Sequence, residues 1–215
     1  GALIYDADGR RVHRRTERIA IDSTRVEKGG YRHFMAKEIA EQPVVIADAL
    51  AHYLGPDDTI RLPDGLDFTG IDRVTLVACG TAHYACQVAK YWFEQLAGLP
   101  AETDVASEFR YREPPLSENG LAVFVSQSGE TADTLAALRY AKGRVAQVAG
   151  VVNVTTSTIA READLSIPIL AGVEIGVAST KAFTAQLLVL ALMALKAGQD
   201  RGRIGPEAMA EHLAA

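Results

Sequence analysis

From residue 71 onward the chain alternates short β-rich runs with helix-patterned runs. VTLVAC (74–79), ETDVAS (102–107), AVFVSQ (122–127), VAGVVN (148–153) and LSIPIL (165–170) are interleaved with helical stretches at 82–97, 131–143 and 156–162, and a last one comes at 180–197. Alternation of this kind builds βαβ units and a parallel sheet. Runs that are apolar without a break, such as AVFV, suit strands covered on both faces. The expected fold class is therefore α/β, a three-layer α/β/α domain over residues 71–197, with the helical pattern at 31–54 packed against it. Pro43 is expected to break or restart that first helix.

The remaining segments read as accessories to this domain. LIYDADGRRVHR, with Asp8-Gly9 at its centre, has the form of a β-hairpin over residues 3–14. RTERIAIDSTRVEKGG (15–30) shows no strong periodicity, ends in two glycines and reads as a linker. Residues 201–215 read as the start of a further helix. The first residues are Gly-Ala rather than Met, as expected of a piece of a longer chain.

Charge and cysteine content narrow the function classes. A net charge of −5 disfavours a nucleic-acid or anionic-membrane partner, since nothing in bulk would neutralise phosphates. The basic run RRVHRR (10–15) sits in a polar segment and reads as a solvated face. Cys79 and Cys86 give neither a disulfide framework nor metal-ligand spacing, and a reducing cytoplasm is the default compartment. AFTAQLLVLALMALKA (182–197) falls short of the roughly 20 residues that span a bilayer and carries Thr184 and Gln186. It reads as a buried helix.

In parallel sheets ligands bind beyond the carboxyl ends of the strands, and three segments concentrate small polar residues there. SQSGET (126–131) leaves a strand and precedes a helix. Helix starts expose unpaired N–H groups and partial positive charge, so hydroxyls beside them form a phosphate cradle without a lysine. An ordinary cap needs one hydroxyl. Ser126, Ser128 and Thr131, with Gln127, exceed that need. CGTAH (79–83) repeats the pattern through Gly80 and Thr81, though an ordinary βα turn explains it equally well. Cys79 and His83 have the chemistry of a nucleophile and base, but no third partner is evident and both suit plain packing. GVEIGVASTKA (172–182) places Ser179 and Thr180 before the long apolar helix. Lys181 has Schiff-base chemistry, yet a structural or solvated lysine is the commoner case at a helix start. Neither a Walker loop nor a Gly-x-Gly-x-x-Gly fingerprint is present, so a phosphate monoester on a small metabolite suits the cradle better than a nucleotide.

Taken together, SQSGETADT, ACGT and EIGVASTKAFT resemble the SIS (sugar isomerase) domain family. With YRHFMAKEIAEQP (31–43), AKYWFEQLAGLP (89–100) and ASEFRYREP (106–114), they resemble more narrowly the first SIS subdomain of the glucosamine-6-phosphate synthases, the isomerising glutamine–fructose-6-phosphate aminotransferases. The resemblance implies a flavodoxin-like five-stranded parallel sheet over residues 31–200. It implies that Ser126, Gln127, Ser128 and Thr131 hold a sugar phosphate, helped by Thr81 and Ala82, with the Val177 carbonyl and Ser179 near the sugar hydroxyls. Many members carry Ser where this chain has Ala82, which leaves only the backbone N–H for that contact.

The same resemblance implies no metal and no organic cofactor. It implies a homodimeric parent with a glutaminase domain before this region, of which the 3–14 hairpin is a remnant, and a second SIS subdomain after it. The imine-forming lysine, acid/base glutamate and ring-opening histidine of the family lie in that later half, so no catalytic residue is assigned to this chain. The rival reading is a non-enzymatic SIS module that senses a phosphosugar with the same cradle.

Overall fold

The computed structural model describes residues 2–13, 27–57 and 59–214. Most of the segment read as a linker lies outside the described residues. At the N-terminus β1 (Ile4–Tyr5) and β2 (Arg11–Val12) pair antiparallel, Ile4 opposite Val12. Asp6 Oδ1 accepts from the N–H groups of Asp8 (3.0 Å) and Arg10 (2.8 Å), and Gly9 takes the left-handed φ of 75° that the turn needs.

Five parallel strands form the central sheet: β3 (Val74–Ala78), β4 (Ala101–Val105), β5 (Leu121–Ser126), β6 (Gln147–Val152) and β7 (Leu165–Pro168). Their spatial order is β4-β3-β5-β6-β7, the flavodoxin-like order in which the chain first steps to one side of β3 and then returns to the other. Every residue of β3 and β5 is buried, which explains their largely apolar sequence. The edge strands are shorter of cover. β4 is largely half-exposed, and β7 ends in Pro168, a residue tolerated at a sheet edge.

Strand side chains alternate between two cores. Val74, Leu76, Ala78, Leu121, Val123 and Val125 face one layer, which contains α1 (Phe34–Tyr53), α2 (Gly80–Ala97) and α6 (Lys181–Asp200). Val77, Ala122, Phe124, Val148 and Val152 face the other, built by α3 (Ala106–Arg112), α4 (Ala132–Ala141) and α5 (Thr158–Glu162). This is the period-two alternation of a pleated strand used on both sides. In the second core Phe109 packs edge-on against Phe124 and Tyr140, with centroids 6.4 and 5.7 Å away. A last helix, α7 (Pro206–Ala214), adds Met209 to the first core.

Three sequence expectations are corrected. Pro43 does not break α1, which runs through it from Phe34 to Tyr53. The amide hydrogen missing at Pro43 would have bonded the Ile39 carbonyl, and Gln42 Nε2 donates to that oxygen instead at 3.1 Å. The β-run at 102–107 ends at Val105, because Ala106 already opens α3 and is buried there. The apolar helix is also longer than its sixteen-residue core suggested. At 20 residues α6 has the length and composition to cross a bilayer, but it is a core helix, with 61% of its most apolar window buried inside the protein. α1 and α2 pack against it.

Phe124 fills the centre of the second core with no exposed surface. Phe124→Ala is expected to cost about 3–5 kcal/mol, read as a lower urea midpoint with little change in the denaturant slope. A cost under about 1 kcal/mol would mean that the second core collapses around the deletion.

Candidate functional site: an uncharged cradle at the switch point

The pairing of Ala78 with Val125 brings Cys79 and Ser126 level at the carboxyl edge of the sheet. Here the connections diverge. α2 leaves β3 toward the first core, while α4 leaves β5 toward the second. The crevice between them is the switch point where doubly wound sheets bind ligands. It holds a cavity of about 220 Å³ lined by Cys79, Thr81, Ala82, Val125, Ser126, Gln127, Ser128, Thr131, Ser179 and Gln186.

The turn after β5 is built by its own hydroxyls. Buried Ser126 Oγ accepts from the Gly129 N–H at 3.0 Å and bonds Thr131 Oγ1 at 3.0 Å. Ser128 Oγ accepts from the Glu130 N–H at 3.2 Å. Gly129 sits at φ 66°, and a Cβ there would lie 1.9 Å from Ser157 Oγ, so both conformation and space require glycine. Thr131 is the N-cap residue of α4, yet its hydroxyl bonds Ser126 rather than any helix N–H. Cys79, the N-cap of α2, makes no side-chain cap either. Both helices thus begin with donors that no cap side chain engages, and both begin at the cavity. Asp133 in the first turn of α4 is paired with Arg110 at 2.8 Å, which offsets its opposition to an anion there.

Acidic residues near the site serve the scaffold. Glu130 reaches away from α4 to the start of α5, where its Oε1 accepts from the Thr158 N–H (2.7 Å) and Oγ1 (3.1 Å). These bonds, the N–H first, hold its carboxyl below the usual range. Glu174 Oε1 accepts from the N–H groups of Thr180 (3.0 Å) and Ala182 (3.1 Å), capping α6, and its Oε2 accepts from Ser179 Oγ at 3.2 Å. Glu38 of α1, 2% exposed, accepts from the Ile175 N–H at 2.6 Å and the Gly176 N–H at 3.0 Å. A Cβ on Gly176 would lie 2.5 Å from Glu38 Oε2, so the loop's approach to that carboxylate depends on glycine.

Seven of the eight residues named from sequence share the cavity: Thr81, Ala82, Ser126, Gln127, Ser128, Thr131 and Ser179. Val177 stands apart. Its side chain is fully exposed on the 172–180 loop and lines no part of the cavity. Of the residues considered for chemistry, Cys79 lines the cavity, whereas Lys181 and His83 are engaged elsewhere. Lys181 is 4% exposed and donates to Glu41 Oε2 at 2.7 Å. Burial pushes the Glu41 carboxyl up, but Lys181 and Lys37 outweigh it and hold the group below the usual range. His83 Nδ1 lies 3.2 Å from the Asp104 carbonyl, and its Nε2 contacts Gln87. Cys86 is fully buried, which pushes its thiol well above the ordinary range. No acid, histidine, lysine or arginine lines the cavity, and no metal-binding cluster occurs among the described residues. Gln186 is the wall residue that sequence reading passed over as a mere polar interruption of an apolar helix.

The fold and site define a doubly wound α/β protein with two helix starts and a cluster of hydroxyls at one cavity. The SIS domain family matches residues 67–196, more than half of the sequence, and the chain belongs to that family. It is 57% identical over 205 residues to the isomerizing glutamine–fructose-6-phosphate aminotransferase of Bradyrhizobium diazoefficiens, covering 94% of this chain and 34% of that protein. The corresponding aminotransferase of Brucella abortus is 56% identical over 95% of this chain, again 34% of that protein. The chain thus spans about a third of the length of these relatives. Among solved structures, the C-terminal domain of glucosamine-fructose-6-phosphate aminotransferase from Francisella tularensis superposes with a TM-score of 0.82 at 41% identity, over 86% of this chain and 53% of that one. The narrower resemblance read from EIGVASTKAFT and YRHFM is borne out by these matches.

The geometry makes two expectations testable. Lys181→Ala strands a half-buried carboxylate that keeps Lys37, so stability should fall by about 1–3 kcal/mol. Borohydride trapping with fructose 6-phosphate should leave Lys181 of the unaltered chain unlabelled, and an adduct there would contradict the structural assignment. A carboxyl whose folded pKa is depressed contributes stability above its unfolded pKa, about 4.3 for Glu, and loses it as pH falls through the folded value. Glu130→Gln should therefore lower the urea midpoint at pH 7 and flatten its decline between pH 5 and 3; an unchanged acid limb would contradict this.

Proposed function

We propose that this chain is the sugar-phosphate-binding part of the isomerase half of a glucosamine-6-phosphate synthase. In this reading it holds fructose 6-phosphate by its phosphate while nitrogen from glutamine is transferred and the sugar is isomerised. The observation that carries the reading is the pair of helix starts, α2 and α4, left without side-chain caps at a cavity lined by Thr81, Ser126, Ser128 and Thr131. N–H groups, hydroxyls and the positive ends of two helix dipoles suit a phosphate monoester. The aminotransferases that share more than half of its residues name the ligand.

The cavity supports binding and orientation rather than proton transfer. Imine formation needs a lysine, and isomerisation needs an acid/base group; neither type lines the wall. In the parent these groups come from outside the chain, in a second SIS subdomain and a C-terminal tail, with ammonia from a glutaminase domain. The exposed hairpin β1–β2 is then the end of that domain. The parent is a cytoplasmic homodimer that needs no metal or organic cofactor. Ser179 lies beside the sugar, and Val177 reaches it through its carbonyl when the 172–180 loop faces a ligand. A phosphosugar-sensing module would need the same cradle, and the uncharged wall also suits it. The identity to the aminotransferases favours the enzyme.

Titration of the chain with fructose 6-phosphate, monitored by heteronuclear NMR, tests the proposal. Binding should shift the amides of residues 80–82 and 127–132, and no glucosamine 6-phosphate should form when glutamine is added. Ser128→Ala should weaken binding about tenfold with the fold intact. Unchanged affinity would reduce the hydroxyl cluster to turn scaffolding, and turnover by the chain alone would overturn the division of labour.

A further inference from the structure

We infer that Gln186 is a further residue of the cavity, beside Ser179, that recognises the hydroxyl-bearing part of the ligand, as distinct from its phosphate. The inference rests on the phosphate-cradle reading and extends it to a side chain that neither sequence motif nor helix start announces.

Gln186 occupies the second turn of α6, among buried Ala182, Ala185, Val189 and Leu190. It is 2% exposed, and its Oε1 is enclosed without a hydrogen-bond partner. Long polar side chains are seldom buried unless paired, because the lost contacts with water go uncompensated. An apolar residue at this position would pack without that penalty. Yet Gln186 lines the same cavity as Ser126, Ser128 and Thr131, and a half-turn about its last torsion exchanges the enclosed Oε1 with Nε2, so an occupant of the cavity can meet either end of the amide.

The chemistry of that partner follows from what each end of the amide needs. The cradle at α2 and α4 offers N–H and O–H donors, matched to phosphate oxygens, which accept. Oε1 is an acceptor, and an ionised phosphate monoester has no donor to give it beyond a residual proton. A sugar hydroxyl donates and accepts at once, so it satisfies the amide whichever way its oxygen and nitrogen are turned about the last torsion. Space permits this. At about 220 Å³ the cavity exceeds several times the volume of one water, about 30 Å³ in the liquid, so room remains beside a phosphate group. The wall thus divides into a donor-rich end for the anion and an amide for the polyol.

Gln186→Met keeps the length of the side chain and removes its polar end; Gln186→Leu is the second variant. Dissociation constants for fructose 6-phosphate and for inorganic phosphate would be measured by NMR titration of the whole chain, together with the thermal midpoint. Fructose 6-phosphate binding should weaken about five- to tenfold, phosphate binding should stay within about twofold, and the midpoint should hold or rise, because the unpaired acceptor is gone. Ser128→Ala, by contrast, should weaken both ligands together. If both Gln186 variants bind the two ligands as the unaltered chain does, the amide is met by water and this inference falls while the cradle stands. Equal weakening of both ligands, or a falling midpoint, would make Gln186 a phosphate contact or a packing residue and overturn it. Failure of the unaltered chain to bind either ligand would overturn the cradle and this inference together.

Discussion

A helix cannot begin without leaving backbone N–H groups unpaired, and each strand of the central sheet hands the chain to a helix beyond its carboxyl end. How those donors are met organises the whole edge. α6 receives the carboxylate of Glu174, and α5 receives Ser157 and the carboxylate of Glu130. Glu38 does the same for the bare N–H groups of the loop before α6. α2, α3 and α4 start without a side-chain cap. Of these, α3 begins beyond the edge strand β4 and contributes nothing to the cavity wall, whereas α2 and α4 flank the β3–β5 crevice. Glu38, Glu130 and Glu174 are internal anions that settle the surroundings of the site. The open donors of α2 and α4 are left where an external anion can reach them.

This arrangement makes the cradle dipolar rather than cationic. A lysine or arginine would bind an anion more strongly, with less discrimination of shape and with greater sensitivity to salt. Fixed N–H and O–H groups act only over short distances, so geometry governs what they accept. The turn that carries them is correspondingly rigid. Ser126 ties Gly129 and Thr131 together, and Gly129 lies so close to Ser157 that no side chain fits. Preorganisation of this kind lowers the ordering cost of binding.

Much of this was legible in the sequence, for reasons that differ by residue. β3, β5 and β6 are visible as largely apolar runs because helices cover both faces of the sheet. The hydroxyls of SQSGET stand out because their number exceeds what a cap requires. β4 was harder to bound, since an edge strand is half solvated and its polar residues blur into α3. The continuity of α1 through Pro43 was hidden because it depends on where the Gln42 amide points. Gln186 was hidden for a different reason. An amide in an apolar helix looks the same in sequence whether it faces solvent or an enclosed cavity, and only the packing of α6 against the sheet distinguishes the two. The roles of Glu130 and Glu174 likewise emerge from contacts six, eight and 28 residues away.

Glu38 has a mechanical consequence. It sits in the first turns of α1, before the sheet begins, and grips the loop at Ile175 and Gly176, a few residues ahead of cavity-lining Ser179. Farther along, Glu41 and Gln42 hold Lys181 and Thr184 at the head of α6. Three successive points of α1 are thus pinned to one wall of the cavity, like a lever bolted along its length. Sliding α1 along its axis must either drag that wall with it or break buried polar bonds. The segment that leads to Ser179 is therefore tied by hydrogen bonds to a helix that lies ahead of the central sheet in the chain.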